Sequence, residues 1–178
     1  MKSTILSFFI AVGLFFAGCS DQSSISSPQQ DPQLSIMQMS NGLHKPVTIK
    51  KNIDGTVGGQ IDMAGSFDGV VSVDASLTVP AGAFQGSMDI SMYMEGSLAV
   101  IDFGPTPFTF DIPLNFSMTI SGLNLIGVDK KLQFVYIAPN GSLQPIELNG
   151  TTNVDQVNDR LTVTNAQIPH FSRYGWAK

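Results

Sequence analysis

The chain has 178 residues, of which 43% are hydrophobic and only 13% charged, and 14 acidic against 9 basic side chains give it a formal net charge of −5. An acidic chain with no Lys/Arg run longer than two residues lacks the electrostatic footprint of a nucleic-acid binder, so no nucleic-acid partner is expected. A single cysteine excludes an internal disulfide, and two histidines leave too few ligands for an ordinary zinc site.

Met1 and Lys2 give a short positive start, Ile5 to Phe16 an apolar run, and Ala17 and Gly18 two small residues. This is the grammar of a secretory signal, too short to be an ordinary spanning helix of about 20 residues. The tetrapeptide Phe16-Ala17-Gly18-Cys19 resembles the bacterial lipobox, with Phe16 where Leu is usual. The resemblance implies removal of residues 1–18 as a lipoprotein signal peptide and attachment of several acyl chains to Cys19. One acyl chain binds a bilayer only marginally, whereas several make a stable anchor. The membrane is then the first expected partner. Ser20 stands where, in enterobacteria, Asp favours inner-membrane retention, so the resemblance favours the outer membrane of a bacterial envelope.

Residues 19–45 are rich in Ser, Gln, Asp and Pro ("SDQSSISSPQQDPQ") and show no apolar period. They read as a lipidated N-terminus followed by a disordered, flexible tether. From Pro46 the pattern changes to period two. Val71, Val73, Ala75, Leu77 and Val79 alternate with Ser, Asp and Thr, and the same alternation runs through Met88 to Glu95, Leu114 to Ser121 and Leu161 to Val163. Each run buries one face and wets the other. Residues 132–138 (LQFVYIA) are apolar on both parities and read as a central strand. Asn140-Gly141 and Asn149-Gly150 mark turns. Seven to ten short strands without a helical period predict one all-β domain over 46–178, an antiparallel β-sandwich of immunoglobulin-like kind.

Three stretches add a resemblance. "LTVPAGAF" (77–84), "VIDFGPTPFTFDIPLNFSM" (100–118) and "IPHFSRYGWA" (168–177) resemble, in order and spacing, the signatures of ZU5-type domains, with Ala81 where a second Pro is common. The resemblance implies a β-sandwich used as a structural or protein-interaction module, without enzyme activity, facing an envelope protein partner. The residues agree on their own terms. Pro80 cannot donate a ladder hydrogen bond and ends a strand, Gly82 allows a left-handed turn, and Ala83 and Phe84 can then enter the core.

Candidate chemistry concentrates at the C-terminus. His170, Phe171 and Ser172 form a tripeptide that, in self-cleaving relatives, supplies a base and a nucleophile against the preceding carbonyl. Such cleavage between Phe171 and Ser172 also needs backbone strain and oxyanion donors. The competing reading is a terminal strand with Ile168, His170, Ser172, Tyr174 and Trp176 on one face and Phe171 on the other. It leaves the Tyr174 and Trp176 polar tips free to hydrogen-bond. His44 lies beside the tether, where a preorganised site is not expected. Asp54, Asp62, Asp68 and Asp74, and Asn149, Asp155 and Asp159, are two oxygen-rich groups, but neither has the spacing of a regular calcium loop, so no metal or cofactor is expected. Met88, Met92 and Met94 share a strand face, which reads as core filling or, as an alternative, as the wall of a small apolar-ligand pocket in a carrier. The leading expectation is a non-enzymatic, membrane-anchored lipoprotein that presents a β-sandwich.

Overall fold

The computed structural model describes residues 35–39, 45–67 and 70–178. Cys19, His44, Asp68, the signal segment and most of the tether lie outside the described residues. Eleven strands follow one another within them: β1 (Val47–Asp54), β2 (Gly59–Phe67), β3 (Val71–Val79), β4 (Ser87–Met94), β5 (Val100–Gly104), β6 (Phe108–Ser121), β7 (Gln133–Ile137), β8 (Leu143–Pro145), β9 (Thr152–Asp155), β10 (Arg160–Phe171) and β11 (Arg173–Ala177). They form a six-stranded sheet in the order β1-β4-β5-β11-β7-β8 and a five-stranded sheet in the order β2-β3-β6-β10-β9, with every pairing antiparallel. The two sheets pack as a β-sandwich, with one strand more than the upper expectation because the three-residue β8 and four-residue β9 carry little periodic signal.

Period two sets the inner faces. On β3 the side chains of Val71, Val73, Ala75, Leu77 and Val79 are buried, and on β6 those of Leu114, Phe116, Met118 and Ile120 join them, while Ser72, Asp74, Asn115 and Thr119 take the other parity. On β4, Ile90, Met92 and Met94 are fully buried and Met88 packs against the same core. The methionine stripe is therefore core filling. Phe103 meets Phe116 edge-on at 5.0 Å, and Phe134 stacks on Phe116 at 5.8 Å and meets Trp176 at 5.9 Å. Edge-on and offset contacts of this kind add to the area each ring removes from water.

The 77–84 stretch folds as its residues require. Strand β3 ends before Pro80, Gly82 has φ 84, and Ala83 and Phe84 are buried. Residues 132–138 hold a strand paired on both sides, as their double apolar parity predicts. Strand β7 lies next to last in its sheet, between β11 and β8. Both of its faces are covered. Phe134 faces the inter-sheet core, whereas Val135 and Ile137 belong to a second cluster with Val100 and Ala177 on the outer side, packed by Ile36, Leu98 and Leu143.

Ile36 comes from a strap formed by residues 35–39, upstream of the expected domain start at 46. Strands β5 and β11 pair from Asp102/Arg173 to Val100/Gly175 and diverge past Ala99 and Trp176. The strap fills the resulting fork. Met37 N–H donates to the Trp176 carbonyl at 2.7 Å, and the Met37 carbonyl accepts from Ala99 N–H at 3.0 Å. Ser35 exchanges two backbone hydrogen bonds with Lys178, and Met39 N–H donates to the Ser97 carbonyl. Buried Met39 joins the core.

Strand registers define two ends of the sandwich. Ser121 pairs with Ser72 and Arg160, and Gln133 pairs with Ala177, so the β2–β3, β6–β7 and β9–β10 connections and the strap share one end. The β1–β2 turn and the 80–86 loop lie at the other, where Gly59 pairs with Val79 and Asp54 with Ser87.

Candidate functional site

The His-Phe-Ser segment is a change of sheet, which corrects the single-strand reading. Strand β10 runs to Phe171 in the five-stranded sheet, Ser172 is a bend, and β11 begins at Arg173 in the six-stranded sheet. A register shift between Ile168 and His170 breaks the alternation, so Ile168 and Phe171 are both buried although their parities differ. Phe171 packs edge-on against Phe110 at 4.7 Å and lies 6.0 Å from Phe108.

Each residue of the bend is held by a different neighbour. The Ser172 carbonyl accepts from Phe103 N–H at 2.9 Å. Arg173 makes two parallel bonds to the Asp102 carboxylate, Nε to Oδ1 at 2.9 Å and Nη2 to Oδ2 at 3.0 Å. This fork raises the Arg173 guanidinium above its ordinary value, because its hydrogen bonds to Asp102 favour the charged form. Tyr174 donates its hydroxyl to the His170 carbonyl at 2.9 Å and lies 3.4 Å from His170 Nδ1. Burial pushes the Tyr174 phenol up, with Tyr136 acting in the same direction. The His170 ring also meets Tyr136 edge-on at 4.7 Å.

The two polar residues of the tripeptide line different clefts. His170 lines a cleft of about 200 Å³ with Tyr136, Tyr174, Pro145, Glu147 and Gln167. Ser172 lines another, with Asp102, Arg173, Ile36 and Ile137. The polar contact of the His170 ring is the Tyr174 hydroxyl. Neither His170, Phe171 nor Ser172 has a left-handed φ, which falls among non-glycine described residues on Asp159 and Asn165. Trp176 departs from expectation too. Its ring is fully buried, and Nε1 has no hydrogen-bond partner among the described residues. Burial of the whole ring in the aromatic core accompanies that unmade bond.

The described members of the oxygen-rich groups divide between turns and a strand face. Asp54 Oδ1 accepts from the Thr56 amide and hydroxyl, which holds its carboxyl below the usual value. Asp155 is lowered in the same way, first by the Asn158 side chain and then by backbone amides. Asp159 accepts from Leu125 N–H at 3.0 Å. Asn149 N–H donates to the Asn165 carbonyl. Asp62 is lowered by Gln60 and Ser76, and it shares the outer face of the five-stranded sheet with Asp74. Among the described residues no three His, Cys, Asp or Glu side chains converge to hold a metal ion.

Tyr136, Asp102 and the Tyr174–His170 bond are the parts that sequence reasoning missed. Asp102 had a signal, as the lone charge in the strand VIDFG, but its partner Arg173 lies 71 residues away. Comparison of the chain with family models, curated proteins and solved structures gives no match.

Proposed function

We propose that this chain is a non-enzymatic lipoprotein of a bacterial envelope, anchored through Cys19 and presenting its β-sandwich, of ZU5-like kind, as a structural or protein-interaction module. The observation that carries the reading is Phe16-Ala17-Gly18-Cys19 behind an apolar run, with Cys19 the only cysteine. The divergence of His170 and Ser172 into separate clefts supports a structural role for the terminal segment. Placement on the outer membrane rests on Ser20 after the lipid-bearing cysteine.

A second reading, a small-ligand binder, is favoured by the Tyr136–His170–Tyr174 cleft. It has no support from the methionines, which are consumed by the core. Fractionation of cells that express the native chain or Cys19→Ala tests the anchor. The native chain is expected in the membrane fraction and the variant outside it. Complete retention of Cys19→Ala on membranes would refute lipid anchoring as the cause.

A further inference from the structure

Three connections at the strap end carry apolar side chains that face water. Val70 on the β2–β3 turn is 55% exposed, Ile126 on the β6–β7 loop 85% and Val157 on the β9–β10 turn 91%. Single exposed apolar residues are ordinary on protein surfaces. Three on adjacent connections at one end are a pattern.

The connections are cross-braced. Asp159 accepts from Leu125 N–H through its side chain and from Leu123 N–H through its carbonyl. Gln156 Nε2 donates to the Val128 carbonyl at 2.6 Å and to the Leu125 carbonyl at 3.3 Å. Gly122, at φ +78, sits so close to the β2–β3 turn that any Cβ would collide with the Val70 carbonyl. The apolar tips therefore project from a fixed base.

We propose that this end of the sandwich docks on a lipid bilayer surface, inserting Ile126 and Val157, with Val70 at the rim, into the interfacial layer. The inference rests on the membrane-anchored reading and adds a second contact to it. Two further features support a bilayer as the occupant. Exposed Lys130 and Lys131 follow Ile126 on the same loop, where they can meet anionic headgroups. The same loops carry the acidic side chains Asp129, Asp155 and Asp159, so burial of the apolar tips rather than net charge supplies the contact. The strap enters here as well, since Ser35 is bonded to Lys178 beside the start of β7. Ser35, the first described residue, thus stands at the end that carries the apolar tips.

The test uses the chain from Ser20 to Lys178, which keeps every described residue and lacks the lipidation site. Flotation with phosphatidylethanolamine/phosphatidylglycerol vesicles is expected to carry it upward. The double variant Ile126→Asp/Val157→Asp is expected to weaken partitioning about tenfold or more, because insertion of a charge replaces burial of an apolar side chain. Lys130→Ala/Lys131→Ala is expected to weaken it several-fold on these vesicles and to leave binding to phosphatidylcholine unchanged. Val57, 73% exposed at the opposite end, provides the control, and Val57→Asp is expected to bind as the unsubstituted chain does. All the substituted side chains face solvent, and thermal melting checks that the fold is retained. No flotation of the unsubstituted chain, or equal losses for Val57→Asp and the double variant, would overturn the proposal. An unmodified Cys19 in protein taken from cells would instead overturn the anchor reading, so the two failures are distinguishable.

Discussion

Tyr174 donates its hydroxyl to the carbonyl oxygen of His170, four residues earlier, at 2.9 Å. The bond spans the bend at which the chain leaves one sheet for the other, so it ties the end of β10 to the start of β11. Tyr174→Phe keeps the ring and removes the bond. The expected cost is about 1–2 kcal/mol in denaturant unfolding, the range for a net hydrogen bond plus a partly unsatisfied carbonyl. Unchanged stability would mean that the bend is held by Phe103 and Asp102 alone.

The same burial predicts an alkaline transition. The folded-state Tyr174 value lies above the ordinary 10.0, so the fold favours the neutral phenol. Its contribution is fully present below the unfolded value and is lost as pH rises through the range between the unfolded and folded values. Spectrophotometric titration of the native chain against Tyr174→Phe isolates this phenol, which is expected to stay un-ionised well above the ordinary 10.0 until the protein unfolds. Ionisation of Tyr174 in the native state near pH 10 would place its hydroxyl in contact with water.

Alternation made much of this fold legible. The inner faces of β3, β4 and β6 follow directly from period two, and Pro80, Gly82 and Phe84 behave as turn and core residues. What alternation cannot show is which sheet a strand joins. Residues 168–176 look continuous in sequence, yet a register shift and the Ser172 bend divide them between two sheets. Double apolar parity in β7 marks a strand covered on both faces, but what covers the outer one is not legible, because Ile36 comes from a segment without periodic signal. The cleft around His170 depends on Tyr136, brought in by β7 from 34 residues upstream, a placement no local pattern encodes.

Phe134 contacts Phe116, Tyr174 and Trp176 within the sandwich. Phe134→Ala is expected to cost about 3–5 kcal/mol, the usual loss when a buried aromatic leaves a cavity. A loss well under 1 kcal/mol in chemical denaturation would contradict the placement of β7.

The strap can be tested through Met39, which is 5% exposed and packs in the main core. Met39→Ala is expected to lower stability by about 2–3 kcal/mol. Hydrogen exchange at the Met37 and Ala99 amides is expected to quicken in the variant, since both amides bond across the fork. Native-like stability and unchanged exchange would show that the strap is dispensable to the fold.

The most direct test of the account is the intact mass of the protein extracted from membranes. The expected species begins at a Cys19 that carries several acyl chains and ends at Lys178, with the Phe171–Ser172 bond uncut. An unmodified Cys19, or a chain ending at Phe171 that disappears in Ser172→Ala, would contradict it.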